Sequence, residues 1–255
     1  MVAKFDGVEV RTILGVPVHA MTMTQVLDLL DGVISRKEQM QIGVVNAAKI
    51  TNMHRDPKLR DDVLSSDLIL ADGAAVVWAG KILNQPLPER VAGCDLMFEL
   101  FAKGSEKNYR VYCLGATEEV SQEIARRVAS DYPGVDLVGR HHGYYSQDEE
   151  EAVAKDIAAA NPDILFVAMT SPKKEHFLAR WSSVIHVPVT HGVGGSFDVM
   201  AGKVERAPEL WQKTGMEWLY RVKQEPGRLW KRYLITNSLF LYMIFRAKIK
   251  SLLGR

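Results

Sequence analysis

The sequence predicts an α/β fold, with a mostly parallel sheet flanked by helices and a basic, aromatic helical appendage at the C-terminus. Three observations carry this expectation. Short apolar runs alternate with longer stretches of helical pattern along most of the chain. Several of the runs are apolar throughout, as strands buried on both faces are. After about Thr190 the chain turns glycine-rich and then basic. Such alternation layers helices on a parallel sheet, whose ligands sit beyond the carboxyl ends of the strands.

The first helix is expected over residues 23–35, with Thr22 or Thr24 as its N-cap. Residues 42–45 and 68–71 read as strands, and a helix starts near Ala74. A strand over 111–114 leads through Gly115 into a helix over 117–131. Glu118 and Glu119 in its first turn suit the helix dipole. Residues 135–138 and 164–168 are strands on either side of a helix over 149–160, whose acidic start is a solvated face. Pro172 occupies the favoured first position of a helix over 172–183. A last strand covers 187–190, and 192–208 read as a loop. The expected organisation is a core over 1–208 and a helical appendage over 209–255, with no internal repeat.

With 255 residues and 47% hydrophobic content, the chain can bury a full core. A formal net charge of +1 gives no sign of nucleic-acid binding. The two cysteines, Cys94 and Cys113, read as small core residues. No Cys/His spacing suggests a metal site, and a reducing cytosol is the simpler compartment. Residues 1–10 mix both charge signs without an apolar stretch, unlike a signal peptide. The longest uncharged run near the C-terminus, 233–245, falls short of the roughly 20 apolar residues a spanning helix needs.

From Arg221 onward, basic residues face a lone Glu225, and Trp230, Tyr233, Phe240, Tyr242 and Phe245 interleave with them. This suits an interfacial segment on anionic lipid. The alternative is a helix packed on the core with a solvated basic face. The nearly all-round apolar stretch 234–245 favours the membrane, although the same face could serve a second protomer in a homo-oligomer.

Several strand ends carry candidate chemistry. Asn46 follows a strand and reads either as a hydrogen-bonding group for a sugar or base, or as a cap. Asp72, in Ala71-Asp72-Gly73, could accept a proton from an attacking hydroxyl or cap the helix near Ala74. Gly73 lets backbone or ligand come close. Arg90 offers a planar fork for diphosphate oxygens or faces solvent, and Asp95 reads as a helix cap or a sugar-hydroxyl acceptor. The junction at Gly115 exposes N–H groups to an anion, but lacks the full dinucleotide fingerprint. Ser171 should cap the helix that Pro172 begins, with Lys173 and Lys174 making an anion-friendly corner. Gly192, Gly194 and Gly195 permit close approach to a nucleotide, or form an ordinary turn. No Asp-x-Asp occurs, the motif by which many glycosyltransferases hold a divalent ion. A metal-free transfer would then need arginines or helix N-termini for its leaving group.

Taken in order from Gly15 to Arg232, these segments resemble the WecG/TagA/CpsF family, glycosyltransferase family 26. Its signatures are Ala71-Asp72-Gly73, Arg90-Val91-Ala92-Gly93-Cys94-Asp95, Ser171-Pro172-Lys173-Lys174-Glu175 and Gly192-Val193-Gly194-Gly195-Ser196-Phe197-Asp198. The last continues through Ala201-Gly202-Lys203 to Arg206-Ala207-Pro208. The ending Glu217-Trp218-Leu219-Tyr220-Arg221, with Gln224-Glu225-Pro226 and Arg228, also fits.

The resemblance implies a Rossmann-like core of the GT-E type with an appendage on the cytoplasmic face of the plasma membrane. It implies an inverting, metal-independent transfer without a cofactor, from a UDP-sugar to an undecaprenyl-diphosphate-linked sugar in cell-surface polysaccharide synthesis. Donors in the family are UDP-N-acetylmannosamine, its uronic acid or, in exopolysaccharide branches, UDP-glucose. Asp72 would be the general base, Asn46 would orient a sugar, and Arg90 would contact the acceptor diphosphate. Gly93, Asp95 and Arg206 belong to the same motifs, and Arg221 and Arg228 would close over the site. Lys173, Lys174, Glu175 and the Gly192–Gly195 turn would lie along the nucleotide. Two departures stand out: Val44 replaces a Thr found in some members, and Lys174 replaces the Gln of many. The second alters a site-edge group and bears on the donor sugar. The other classes weighed are a nicotinamide-dependent oxidoreductase, disfavoured by the missing glycine fingerprint, and a non-catalytic nucleotide-binding component of a polysaccharide assembly complex.

Overall fold

The computed structural model describes residues 7–253, without the side chains of Lys213 and Arg228. Residues 1–6 and 254–255, parts of the terminal segments read above, lie outside it. The chain opens with an antiparallel hairpin, β1 (Val10–Ile13) and β2 (Val16–His19). Then follow α1 (Met23–Arg36), β3 (Met40–Val45), α2 (Ala47–Met53), α3 (Pro57–Leu64), β4 (Leu68–Ala71), α4 (Ala74–Ile82) and α5 (Gly93–Lys107). The second half runs β5 (Arg110–Gly115), α6 (Glu118–Asp131), β6 (Asp136–His141), α7 (Glu150–Ala160), β7 (Ile164–Ala168), α8 (Lys173–Ile185) and β8 (Val189–Gly192). Four helices end the chain: α9 (Ser196–Met200), α10 (Glu209–Lys213), α11 (Glu217–Gln224) and α12 (Pro226–Leu252).

Six strands form one parallel sheet in the order β4-β3-β8-β7-β5-β6. From β3 the chain moves outward to β4, crosses to β5 and β6, then returns through β7 to place β8 beside β3. The direction of winding therefore reverses next to β3, and such a reversal opens a crevice at the carboxyl ends. One face of the sheet packs on α1, α5, α6 and α9 through Val26, Leu30, Phe101, Ile124 and Phe197. The other face is covered in two patches. Val153, Ile157 and Phe177 of α7 and α8 form one. Ile50, Leu59 and Val76 of α2, α3 and α4 form the other.

The hairpin was not expected. Its turn is Leu14-Gly15, with both residues at positive φ, and Pro17 interrupts the apolar alternation. It guards the free edge of β4: buried His19 accepts the Ile69 N–H at 3.0 Å through Nδ1. The last strand also differs from expectation, running over 189–192 and not 187–190. Pro188 has no N–H for the ladder, and the strand continues until Gly192, carrying His191 inside the sheet. The expected loop after it contains α9.

The C-terminal segment forms α12, which is partly packed on the core and partly exposed. Phe240 and Ile244 are buried in the same cluster as Ile50 and Met53, and Thr51 Oγ1 donates to the Thr236 carbonyl at 3.3 Å. Yet Trp230, Leu234, Leu241, Tyr242 and Phe245 are exposed on the same helix. No described helix is long and apolar enough to cross a membrane.

Candidate active site

Strands β3 and β4 pair in register, with Val45 opposite Ala71. The residues that follow them, Asn46 and Asp72, therefore emerge side by side at the carboxyl edge. Asn46 Nδ2 donates to Asp72 Oδ2 at 3.2 Å. The Asn46 carbonyl oxygen accepts the Lys49 N–H at 3.0 Å and so caps α2. Asn46 is thus a helix cap and a neighbour of the carboxylate at once, and the cap fixes which way its amide points.

Asp72 does not cap α4. That position belongs to Gly73, with no side-chain cap bond. Instead Asp72 Oδ1 accepts the N–H of Gly93 at 2.8 Å, the first residue of α5. Asp72 remains partly exposed. Gly73 gives Asn46 room, since a Cβ there would lie 3.2 Å from Asn46 Cβ.

A chain of alternating charges rims one side. Arg206 pairs with Asp95, Asp95 with Arg90 at 3.2 Å, Arg90 with Glu217 at 3.0 Å, and Glu217 with Arg221 at 3.1 Å. Asp95 sits in the first turn of α5, whose N-cap is Ala92, so it is not the cap. Beside this rim lies a cavity of about 590 Å³, lined by Ala74, Val77, Trp78, Arg90, Arg206 and Gln212 among others. It combines guanidinium groups with an aromatic wall. The backbone of Arg228 lies in α12; its side chain is outside the described residues.

The corner at α8 corrects two expectations. Ser171 does not cap α8: Pro172 holds the N-cap position, after a cis peptide bond, and no side-chain cap bond forms. Ser171 is exposed, and Lys173 Nζ reaches the Gly143 carbonyl at 2.9 Å and lies over the Tyr145 ring. Lys174 is not a site-edge group but turns inward with Glu175. Lys49, which sequence reasoning missed, joins them. Its Nζ is 2.8 Å from Glu175 Oε1, and Lys174 Nζ is 2.9 Å from the same oxygen. The only local hint of Lys49 was a lone lysine in an apolar helix.

Burial alone would raise the Glu175 carboxyl, but the two ammonium groups outweigh it and hold it well below the usual range. Burial and the neighbouring Lys49 lower Lys174. Glu175→Gln would leave two buried lysines without a counter-charge, a loss of about 3–5 kcal/mol. Urea unfolding should show the midpoint falling accordingly; an unchanged midpoint would mean the lysines find other partners.

The glycines divide by role. Gly115, at φ +126°, is required by backbone approach, because a Cβ would meet the Ala168 carbonyl oxygen at 2.4 Å. The Ala116 N–H beside it already donates to that oxygen at 3.0 Å. Gly192 lies against the aliphatic stem of Lys174, at 3.0 Å from where its Cβ would be. Gly194, at φ +57°, and Gly195, the N-cap of α9, turn the chain over the end of β7. His191, with Nε2 3.0 Å from the Gly93 carbonyl oxygen, and Cys94, next to Gly93 in α5, lie beside the backbone that holds Asp72.

The sequence pattern of the glycosyl transferase WecG/TagA/CpsF family matches residues 11–253. The chain belongs to this family. It is therefore a glycosyltransferase. Curated relatives agree. A Bacillus subtilis (strain 168) protein is 34% identical over 95% of this chain and 94% of its own length. A Staphylococcus aureus (strain MW2) protein is 33% identical over 93% of each chain. One from Bacillus spizizenii is 39% identical over 71% of this chain and 69% of its own. All three are named N-acetylglucosaminyldiphosphoundecaprenol N-acetyl-beta-D-mannosaminyltransferase. The Asp72, Asn46 and Gly93 cluster lies at the carboxyl edge of β3 and β4, next to α5, while the cavity is lined by Arg90, Asp95 and Arg206 of the rim.

Proposed function

We propose that this glycosyltransferase moves a sugar from a UDP-sugar to an undecaprenyl-diphosphate-linked sugar, with inversion and without a metal ion. The observation that carries the reading is the partly exposed carboxylate of Asp72, held by Asn46 and Gly93 at the carboxyl edge of the sheet. Asp72 takes the proton from an acceptor hydroxyl as that oxygen attacks the anomeric carbon. The bond from this carbon to the diphosphate breaks, and UDP leaves with the electron pair. One carboxylate suffices as base, because UDP leaves without being protonated, whereas an inverting glycosidase needs a second carboxyl group as acid for its leaving group.

The names of the relatives support N-acetylmannosamine as the sugar transferred and GlcNAc-diphospho-undecaprenol as the acceptor. Arg90 and Arg206, in the wall of the cavity beside Trp78, suit the acceptor diphosphate. Arg221 suits the departing UDP, in place of a divalent ion, a role the family resemblance also gives Arg228. Gly192, Gly194, Gly195, Gly115 and Lys173 border the donor side. We assign catalysis to a core over 1–208 and docking at the cytoplasmic face of the membrane to 209–255, through the exposed apolar and basic groups of α12.

A donor screen tests this. Purified protein is given UDP-N-acetylmannosamine, its uronic acid or UDP-glucose with short-chain lipid-diphosphate GlcNAc or glucose, in EDTA, and UDP release is read. Release with one pair is expected; no release with any pair, or release only after a divalent ion is restored, overturns the reading. Arg90→Ala should raise KM for the acceptor about tenfold or more through loss of a charge-assisted contact, with donor affinity unchanged. An unchanged acceptor KM would remove Arg90 from that role.

A further inference from the structure

His191 lies in the centre of the sheet, between β3 and β7, and is fully buried. Its Nε2 is 3.0 Å from the carbonyl oxygen of Gly93. A carbonyl only accepts, so the ring must carry its proton on Nε2. Nδ1 is then a bare lone pair, and it has no hydrogen-bond partner among the described residues. The ring meets Phe166 edge-on, with centroids 6.3 Å apart. A Cβ on Gly93 would come within 3.4 Å of the His191 ring, so glycine and imidazole are in direct contact.

Leaving a ring nitrogen unsatisfied in the core has a cost, and an apolar residue would fill a central strand position without it. What the histidine supplies is its one bond. Gly93 is the residue whose N–H holds Asp72 Oδ1. Its carbonyl is held by His191, so the backbone that grips the carboxylate is pinned from the sheet below. We propose that His191 is a positioning residue for Asp72, acting through Gly93 to hold the carboxylate where it takes the proton of the acceptor hydroxyl.

The proposal rests on the reading of Asp72 as the general base. The charged groups around the pair are Lys49, Lys174 and Arg221, with the Cys94 thiol. Burial pushes the imidazole down to about 4, the Gly93 carbonyl and the Asp72 charge oppose this, and Lys174 and Lys49 add to it. The ring therefore stays neutral across the working range and keeps the tautomer that the bond to Gly93 requires.

The test uses the full chain and two substitutions. His191→Phe keeps a ring and removes the donor; His191→Gln can return an N–H near the position of Nε2. In His191→Phe, kcat should fall on the order of ten- to a hundredfold, with KM for the donor unchanged. His191→Gln should recover most of the rate. In the Asp72→Asn background, His191→Phe should add no further loss.

A kcat unchanged in His191→Phe, or a fall matched by an equal rise in KM for the donor, would overturn the proposal. So would a Gln variant no better than Phe at equal melting temperature, or additive losses in the double variant. A fully active Asp72→Asn enzyme would instead overturn the reading of Asp72 itself. Calorimetric binding of UDP to each variant reports separately that the fold is intact.

Discussion

Asp72→Asn lowers turnover at least a hundredfold and leaves binding of the UDP-sugar within about twofold. General bases contribute roughly 10²–10⁴ to rate, and no second described carboxylate shares the position between Asn46 and Gly93. Asparagine has the same shape, so its oxygen can still accept the Gly93 N–H. Its amide then faces the Asn46 Nδ2, whose orientation the cap on α2 fixes. Two donors meet, and a fall in melting temperature of a few degrees should accompany the lost turnover. UDP release under single-turnover conditions separates chemistry from product departure, and calorimetry measures the donor. Turnover within threefold of the parent would remove Asp72 as base.

Leu241→Asp with Phe245→Asp should weaken partition onto anionic vesicles about a hundredfold or more. Each side chain would withdraw about 1.5–3 kcal/mol of apolar burial from the lipid, and each aspartate adds repulsion from anionic headgroups. Both side chains are exposed, one helical turn apart on α12. Transfer to a long-chain lipid acceptor should fall with binding, while transfer to a water-soluble short-chain acceptor stays near the parent rate. Vesicle flotation at two salt concentrations provides the measurement. Unchanged flotation would assign the face to another role, such as a second protomer, which light scattering would reveal. Removing the whole segment from Arg221 is a poorer experiment, because Phe240 and Ile244 belong to the core beside Ile50 and Met53. Such a truncation exposes those residues and confounds docking with stability.

The alternation of apolar runs and helical periodicity was enough to place the six sheet strands with α1, α6, α7 and α8, because strands buried on both faces must be apolar throughout, but it gave no range for α2, α3 or α5. Ile164–Ala168 and Leu68–Ala71 begin and end where their side chains require. Asn46 and Asp72 could be seen as strand-end groups for the same reason. Their meeting could not, because it depends on the register of β3 against β4, which is set by pairing across 26 residues of chain.

Local sequence misleads where a side chain's direction decides its role. Lys174 looked like an edge group because lysine is rarely buried. Lys49, 125 positions earlier, and the shared Glu175 carboxylate make its burial tolerable. His191 fell between the expected strand over 187–190 and the expected loop over 192–208, and was given no role, because Pro188 displaces the strand toward Gly192. The amino-acid order by itself determined the layers of the fold, the family motifs and the types of group at each strand end, since these depend on neighbours in the chain. Only the tertiary structure decided which of those groups face one another, because facing is a property of register and packing, and those are set by residues far apart in sequence.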